Sequence, residues 1–211
     1  MKIDFWFDPA CPFCWVTSRW IEDIKDRRDL DINWRAISLF FKNDLASQPD
    51  SPFYDVTKKT LGMLRVAMAV KAAGHADQVG PLYTELGRRI HNRHETDFDL
   101  APILASLELD PGLAEAAVDD SWDAAVRADM ADFVALVGED VGTPAIALDG
   151  TAGRVGLFGP VITQLPTTDQ GTALWDGFVA MADTPGFFEL KRTRTEHPNI
   201  PDESLLPPTP G

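Results

Sequence analysis

The chain has 211 residues, of which 45% are hydrophobic and 25% charged, enough for one sizeable core or for one core with a packed insertion. A formal net charge of −14 repels phosphate backbones and anionic lipid heads, which argues against nucleic-acid or membrane-surface partners. No apolar run is long enough to span a bilayer. The opening Met1-Lys2-Ile3-Asp4-Phe5 alternates like a strand and does not read as a secretory signal, so a cytoplasmic protein is expected.

Ile3 to Phe7 is rich in aromatic and β-branched residues and predicts a strand, which Asp8-Pro9-Ala10 breaks. A helix then starts at Cys11 or Pro12, because proline suits the first helical position. Val16, Trp20 and Ile24 recur on its inner side, with Thr17 and Ile21 beside them. Arg19, Glu22, Asp23 and Asp26 are assigned to the wet side. Asp31 to Leu39 predicts a second strand, so the chain opens as β-α-β.

Gln48-Pro49-Asp50-Ser51-Pro52 is a break, followed by helical sequence. Helices are predicted over Leu61 to Ala73, from Pro81 onward, after Asp99 and after Asp110-Pro111. Trp122, Val126, Met130, Phe133 and Val137 form one amphipathic stripe that Gly138 ends. Strand character returns after Gly142. Thr143-Pro144 leads into Ala145 to Leu148, Asp149-Gly150 is a turn signal, and Arg154 to Phe158 pairs back as a hairpin. A last helix is predicted over Thr168 to Asp183, and the Pro-rich tail from His197 is expected to be extended or loose.

The order β-α-β, helical block, β-β-α implies an α/β fold: a thioredoxin-like core interrupted by a helical insertion, of DsbA type. Residues 1–48 and 139–194 are assigned to the thioredoxin-like domain, 49–138 to the helical insertion, and 195–211 to an extended C-terminal tail.

The two cysteines lie together in Cys11-Pro12-Phe13-Cys14. A disulfide closing so small a loop removes only roughly 2 kcal/mol of chain entropy, so the pair is a poor staple. At a helix start it is good chemistry. The attacking species in disulfide exchange is the thiolate, and unpaired N–H groups at a helix N-terminus stabilise negative charge. Cys11 is therefore expected to be the exposed nucleophile. Cys14, one turn inside, is placed to resolve a mixed disulfide. Pro12 stiffens the entry and Phe13 supplies an apolar contact. Thr143-Pro144, an X-Pro bond just before a strand, is compatible with the cis-proline that faces the disulfide in a thioredoxin fold. The competing reading is a zinc site completed by His91 and His94, although their spacing is shorter than the usual finger pattern. No metal and no tightly bound cofactor are expected.

Longer blocks carry a resemblance. Asp4-Phe5-Trp6-Phe7-Asp8-Pro9, the Cys-Pro-aromatic-Cys motif with Trp15, and Thr17-Ser18-Arg19-Trp20 form the first. Arg89-Ile90-His91-Asn92, Val137 through Pro144, Phe158-Gly159-Pro160-Val161 and Phe187 through Glu196 follow. Together they resemble the DsbA-like family of mycothiol-dependent nitroreductases, also described as mycoredoxin-type proteins. The resemblance implies a thiol–disulfide oxidoreductase with mycothiol as thiol co-substrate, acting on disulfides and, in some members, nitro-compounds. It implies Cys11 as nucleophile, Cys14 as its resolving partner, and substrate contacts from Asn43 and Tyr54; Trp15, from its place next to Cys14, is read as a residue of the substrate groove. Phe13 stands where the family commonly has tryptophan.

Two alternatives stay open at this stage. One is a glutathione-transferase-kappa or isomerase-like enzyme that uses a single thiol. The other is a non-catalytic zinc-binding interaction module. Partners are expected to be a low-molecular-weight thiol and a disulfide or small electrophile, with homodimerisation through the helical region as a further expectation.

Overall fold

The computed structural model describes residues 1–95 and 97–208. Strand β1 (Lys2–Phe7) runs into helix α1 (Pro12–Arg28) and returns as strand β2 (Asp31–Ala36). Helices α2 (Leu39–Lys42), α3 (Tyr54–Ala72), α4 (Val79–Gly87), α5 (Ala101–Ser106) and α6 (Asp123–Val137) follow, with 3-10 segments between them and a π-helical turn, Arg88–Asn92, directly after α4. Strands β3 (Ala145–Gly150) and β4 (Gly153–Phe158) and helix α7 (Thr168–Ala182) complete the core.

The sheet order is β2-β1-β3-β4. β1 and β2 are parallel, with Phe5 opposite Trp34, while β3 is antiparallel to both β1 and β4. Alternation along β1 serves two apolar layers. Ile3, Phe5 and Phe7 join the main core with Trp15, Trp20, Trp34 and Tyr83. Trp6 faces the other way, into a smaller cluster with Ile37, Phe133, Ala145 and Ala147 under α6. The main core runs without interruption from the sheet into Leu61, Leu64 and Leu82 of the helices between β2 and β3.

Several sequence expectations are corrected. β2 stops at Ala36, because the Ser38 hydroxyl accepts from Phe41 N–H and caps α2. α3 begins at Tyr54, seven residues before the apolar pattern starts at Leu61. Asp110-Pro111 opens a 3-10 segment, Pro111–Val118. Arg19 is not on the wet side. It is only 4% exposed, its guanidinium lies 4.3 Å over the Trp15 ring, and its Nη1 donates to Thr84 Oγ1 at 3.0 Å. The tail is not loose over its described length. Leu206 is buried, Asn92 donates to the Pro201 carbonyl at 2.7 Å, and Glu203 pairs with Arg93 and Arg88.

Candidate active site

The chain leaves β1 through Asp8, whose side chain is fully buried. Asp8 Oδ1 accepts from Ala10 N–H at 2.8 Å, Oδ2 accepts from Leu39 N–H at 2.7 Å, and the Thr60 hydroxyl adds a third bond. The Asp8 carbonyl accepts from Cys11 N–H at 3.0 Å. One residue therefore fixes the loop after β1, its contact with the start of α2, and the entry into α1. Burial pushes its carboxyl up from 3.8 to about 6, against the lowering pull of these hydrogen bonds. Sequence reasoning took Asp8 only as a strand breaker. An acid next to a proline at a strand end is a signal for such a turn-fixing role.

Cys11 is the N-cap of α1 and Pro12 its first residue. The Cys11 sulfur accepts from Cys14 N–H at 3.4 Å and lies 3.9 Å from the Thr143 carbonyl oxygen. Hydrogen bonding from the Cys14 thiol is the largest influence on Cys11 and lowers it from 9.0 to about 7, with Thr143 and Cys14 N–H helping and burial opposing. Cys14 goes the other way. Burial, then its neighbour Cys11, push its thiol well above 9.0. Its sulfur lies 3.9 Å from the Trp6 carbonyl oxygen. The two sulfurs are thus pushed in opposite directions, Cys11 toward the thiolate and Cys14 toward the protonated thiol.

Cys11 is less open than the sequence implied, at 7% exposure, and Cys14 has none. The Thr143-Pro144 segment closes over it. That peptide bond is cis, and Gly159 N–H donates to the Pro144 carbonyl at 2.8 Å. The next turn, also a cis bond at Gly159-Pro160, is tied to α1 by Thr17 Oγ1, which donates to the Pro160 carbonyl at 2.9 Å.

Phe13 is half-buried at the rim, with the Arg194 guanidinium 4.8 Å over its ring. Trp15 does not line an open groove. It has no exposed surface, because its ring is held between Arg19 and His91 and packs edge-on against Tyr83. Gly87 makes room for it: a Cβ there would sit 2.2 Å from the Trp15 ring. Asn43 is an exposed C-cap of α2, with its carbonyl accepting from Gln48. Tyr54 is half-buried against Phe40, with the Lys58 ammonium over its ring. No hydrogen bond or ring contact joins Asn43 or Tyr54 to the cysteines among the described residues.

His91 is buried, and its Nε2 lies 2.9 Å from the Pro9 carbonyl oxygen. Burial pulls its pKa down from 6.5 to about 4, so it is neutral at pH 7 and its ring nitrogen is committed to the backbone rather than to a thiol. Among the described residues no group of three or more His, Cys, Asp or Glu side chains is gathered to hold a metal, so the Cys2His2 set does not assemble.

The architecture is that of DsbA-like thioredoxin-fold proteins. The cytosolic disulfide reductase DsbM from Pseudomonas aeruginosa superposes with a TM-score of 0.55 at 18% identity, over 86% of this chain and 100% of that one. A 2-hydroxychromene-2-carboxylate isomerase superposes at 0.54 with 16% identity, over 84% and 94%. An uncharacterised protein of Mycobacterium tuberculosis, Rv2286c, is 30% identical over 197 residues, covering 92% of this chain and 82% of that protein. Residues 10–192 match the Rv2466c-like family, described as mycothiol-dependent nitroreductase Rv2466c, and with the dithiol turn and the fold in place the chain belongs to that family of oxidoreductases.

Proposed function

We propose that this oxidoreductase exchanges thiols for disulfides through Cys11 and Cys14, with mycothiol as its thiol co-substrate in a reducing, cytoplasmic setting. The Cys11 thiolate attacks one sulfur of a substrate disulfide. A Cys11–substrate disulfide forms, the substrate's S–S bond breaks, and the other half leaves as a thiolate. Cys14 then gives up its proton and attacks the Cys11 sulfur, which frees the second half and leaves a Cys11–Cys14 disulfide. The substrate gains two electrons and the dithiol loses them. Reduction back to the dithiol consumes two equivalents of low-molecular-weight thiol. The same thiolate is the reactive group toward small electrophiles, nitro-compounds among them.

The observation that carries this reading is the placement of the two sulfurs: Cys11 caps α1 and accepts from Cys14 N–H at 3.4 Å, and Cys14 is fully buried one turn behind it, an arrangement that draws the Cys11 thiol down and pushes the Cys14 thiol up. In this assignment residues 1–48 and 139–194 supply the chemistry, while 49–138 packs against it. Thr143 and Pro144 hold the rim and Pro12 the helix entry. Two experiments test the reading. Cys14→Ser should accumulate a mixed disulfide on Cys11 that Cys11→Ser never forms. Intact-mass analysis of the oxidised protein incubated separately with mycothiol and with glutathione should show adducts favouring mycothiol. Equal reaction with both removes the mycothiol assignment, and no adduct on Cys11 removes the mechanism.

A single-thiol cycle is favoured by one observation, the complete burial of Cys14 with its thiol held protonated. In that cycle Cys11 is released from its adduct by an external thiol. Cys14→Ser would then keep turnover with mycothiol, whereas the dithiol cycle loses it.

A further inference from the structure

The acidic chain leaves a small cationic segment, one member of which lies over Phe13 in the dithiol turn. Its 19 basic residues face 33 acidic ones, and most of its arginines are ion-paired. Lys191, Arg192 and Arg194 are different: all three are exposed, and no carboxylate pairs with any of them among the described residues. Arg194 is the one with a fixed place. Its guanidinium lies over the ring of Phe13, the residue between the two cysteines. Stacking uses the face of a guanidinium and leaves its N–H edge free. That edge accepts a carboxylate in a two-pronged hydrogen bond. An exposed arginine with no carboxylate partner has its charge available to an external anion, locally opposing the repulsion from a chain of net charge −14.

We infer that Arg194, seated on Phe13, forms an anion subsite at the rim of the Cys11–Cys14 turn, and that the preferred oxidised substrate is a disulfide carrying a carboxylate near its reacting sulfur. This rests on Cys11 being the nucleophile. The subsite holds the anionic arm while the Cys11 thiolate attacks. A Cys11–substrate disulfide forms, the substrate's S–S bond breaks, and the leaving half departs as a thiolate. Arg194 is a specificity residue and takes no proton or electron in the step.

The test compares two aromatic disulfides in stopped-flow absorbance with the full-length reduced protein. One is 5,5′-dithiobis(2-nitrobenzoate), which carries two carboxylates; the other is 4,4′-dithiodipyridine, which is neutral near pH 8. The readout is the ratio of the anionic to the neutral second-order rate. Arg194→Gln should lower that ratio about five-fold, Arg194→Lys should recover only part of it because an ammonium keeps the charge without the planar fork, and added salt should lower it in the wild type more than in Arg194→Gln. Lys2→Gln removes an equal charge at the far end of β1 and should leave the ratio near the wild-type value. If Arg194 merely shapes the loop, both rates change together and the ratio stays constant, which overturns the subsite. An equal drop in Lys2→Gln overturns it as well, because the overall field then explains the selectivity. Failure of both reagents to modify Cys11 in the wild type strikes the nucleophile assignment instead.

Discussion

At the residue scale, the Cys11 thiolate depends first on the proton that Cys14 donates to it. The rate of iodoacetamide alkylation at Cys11 should therefore rise with pH through about 7 in the wild type. In Cys14→Ala the inflection should move up toward the ordinary thiol value. An unmoved inflection in that variant would assign the thiolate to Thr143 and the backbone alone. Two other buried groups oppose each other. Asp8 is raised from 3.8 to about 6, so the folded chain holds a proton there that the unfolded chain has released. Stability through Asp8 falls as pH rises across that window. His91 is lowered from 6.5 to about 4, so there the unfolded chain holds the extra proton, and stability through His91 rises across nearly the same window. Relative to wild type, Asp8→Asn should gain stability with rising pH and His91→Gln should lose it. Each change should be on the order of 2–3 kcal/mol between the limits of the window. Urea denaturation of the three proteins at pH 4 to 7 measures this, and parallel curves would refute it.

At the element scale, α1 is legible because its start is written twice, as Pro12 at the first helical position and as the apolar recurrence of Val16, Trp20 and Ile24. Arg19 was misplaced on the same helix. Polarity marks a solvent face only when no interior partner exists, and Arg19 finds Trp15, Ser18 and Thr84, which lie on it or across from it on α4. The early start of α3 was hidden for the opposite reason. Its first turns carry exposed Lys58 and Lys59, and helical order there shows no apolar period. Trp15 read as a groove residue from its place beside Cys14, yet side-chain direction on a helix sends it toward α4. Gly87 is the matching absence on that helix. Gly87→Ala should destabilise the protein by about 1–3 kcal/mol through overpacking against Trp15, visible as a lowered thermal midpoint. A midpoint at or above the wild-type value would mean that the ring yields freely.

At the scale of the whole molecule, the order of the strands and longer helices was readable because turn residues separate most of the apolar patterns; the start of α2 reads as the end of β2 because only Ile37-Ser38 stands between them. The docking of the tail was not, because its contacts are long-range ones, from Glu203 to Arg88 and Arg93 and from Pro201 to Asn92 after α4, with Leu206 joining the main core. Deleting residues 201–211 should leave Arg88 without its Glu203 partner and uncover the surface beneath Leu206. Amide hydrogen exchange should then speed up over Arg88–Asn92, the π-helical turn that the tail covers. Unchanged protection would show that the tail only rests there. The core passes from the sheet into the helices between β2 and β3 as one apolar cluster, and the buried Arg19–Thr84 and Asp8–Thr60 hydrogen bonds bridge the same boundary. A protease that nicks the surface loops of the folded chain therefore meets no natural place to divide it. The cut pieces should stay associated through gel filtration and come apart only when the entire molecule melts, because neither half owns the apolar surface it would need to stand alone.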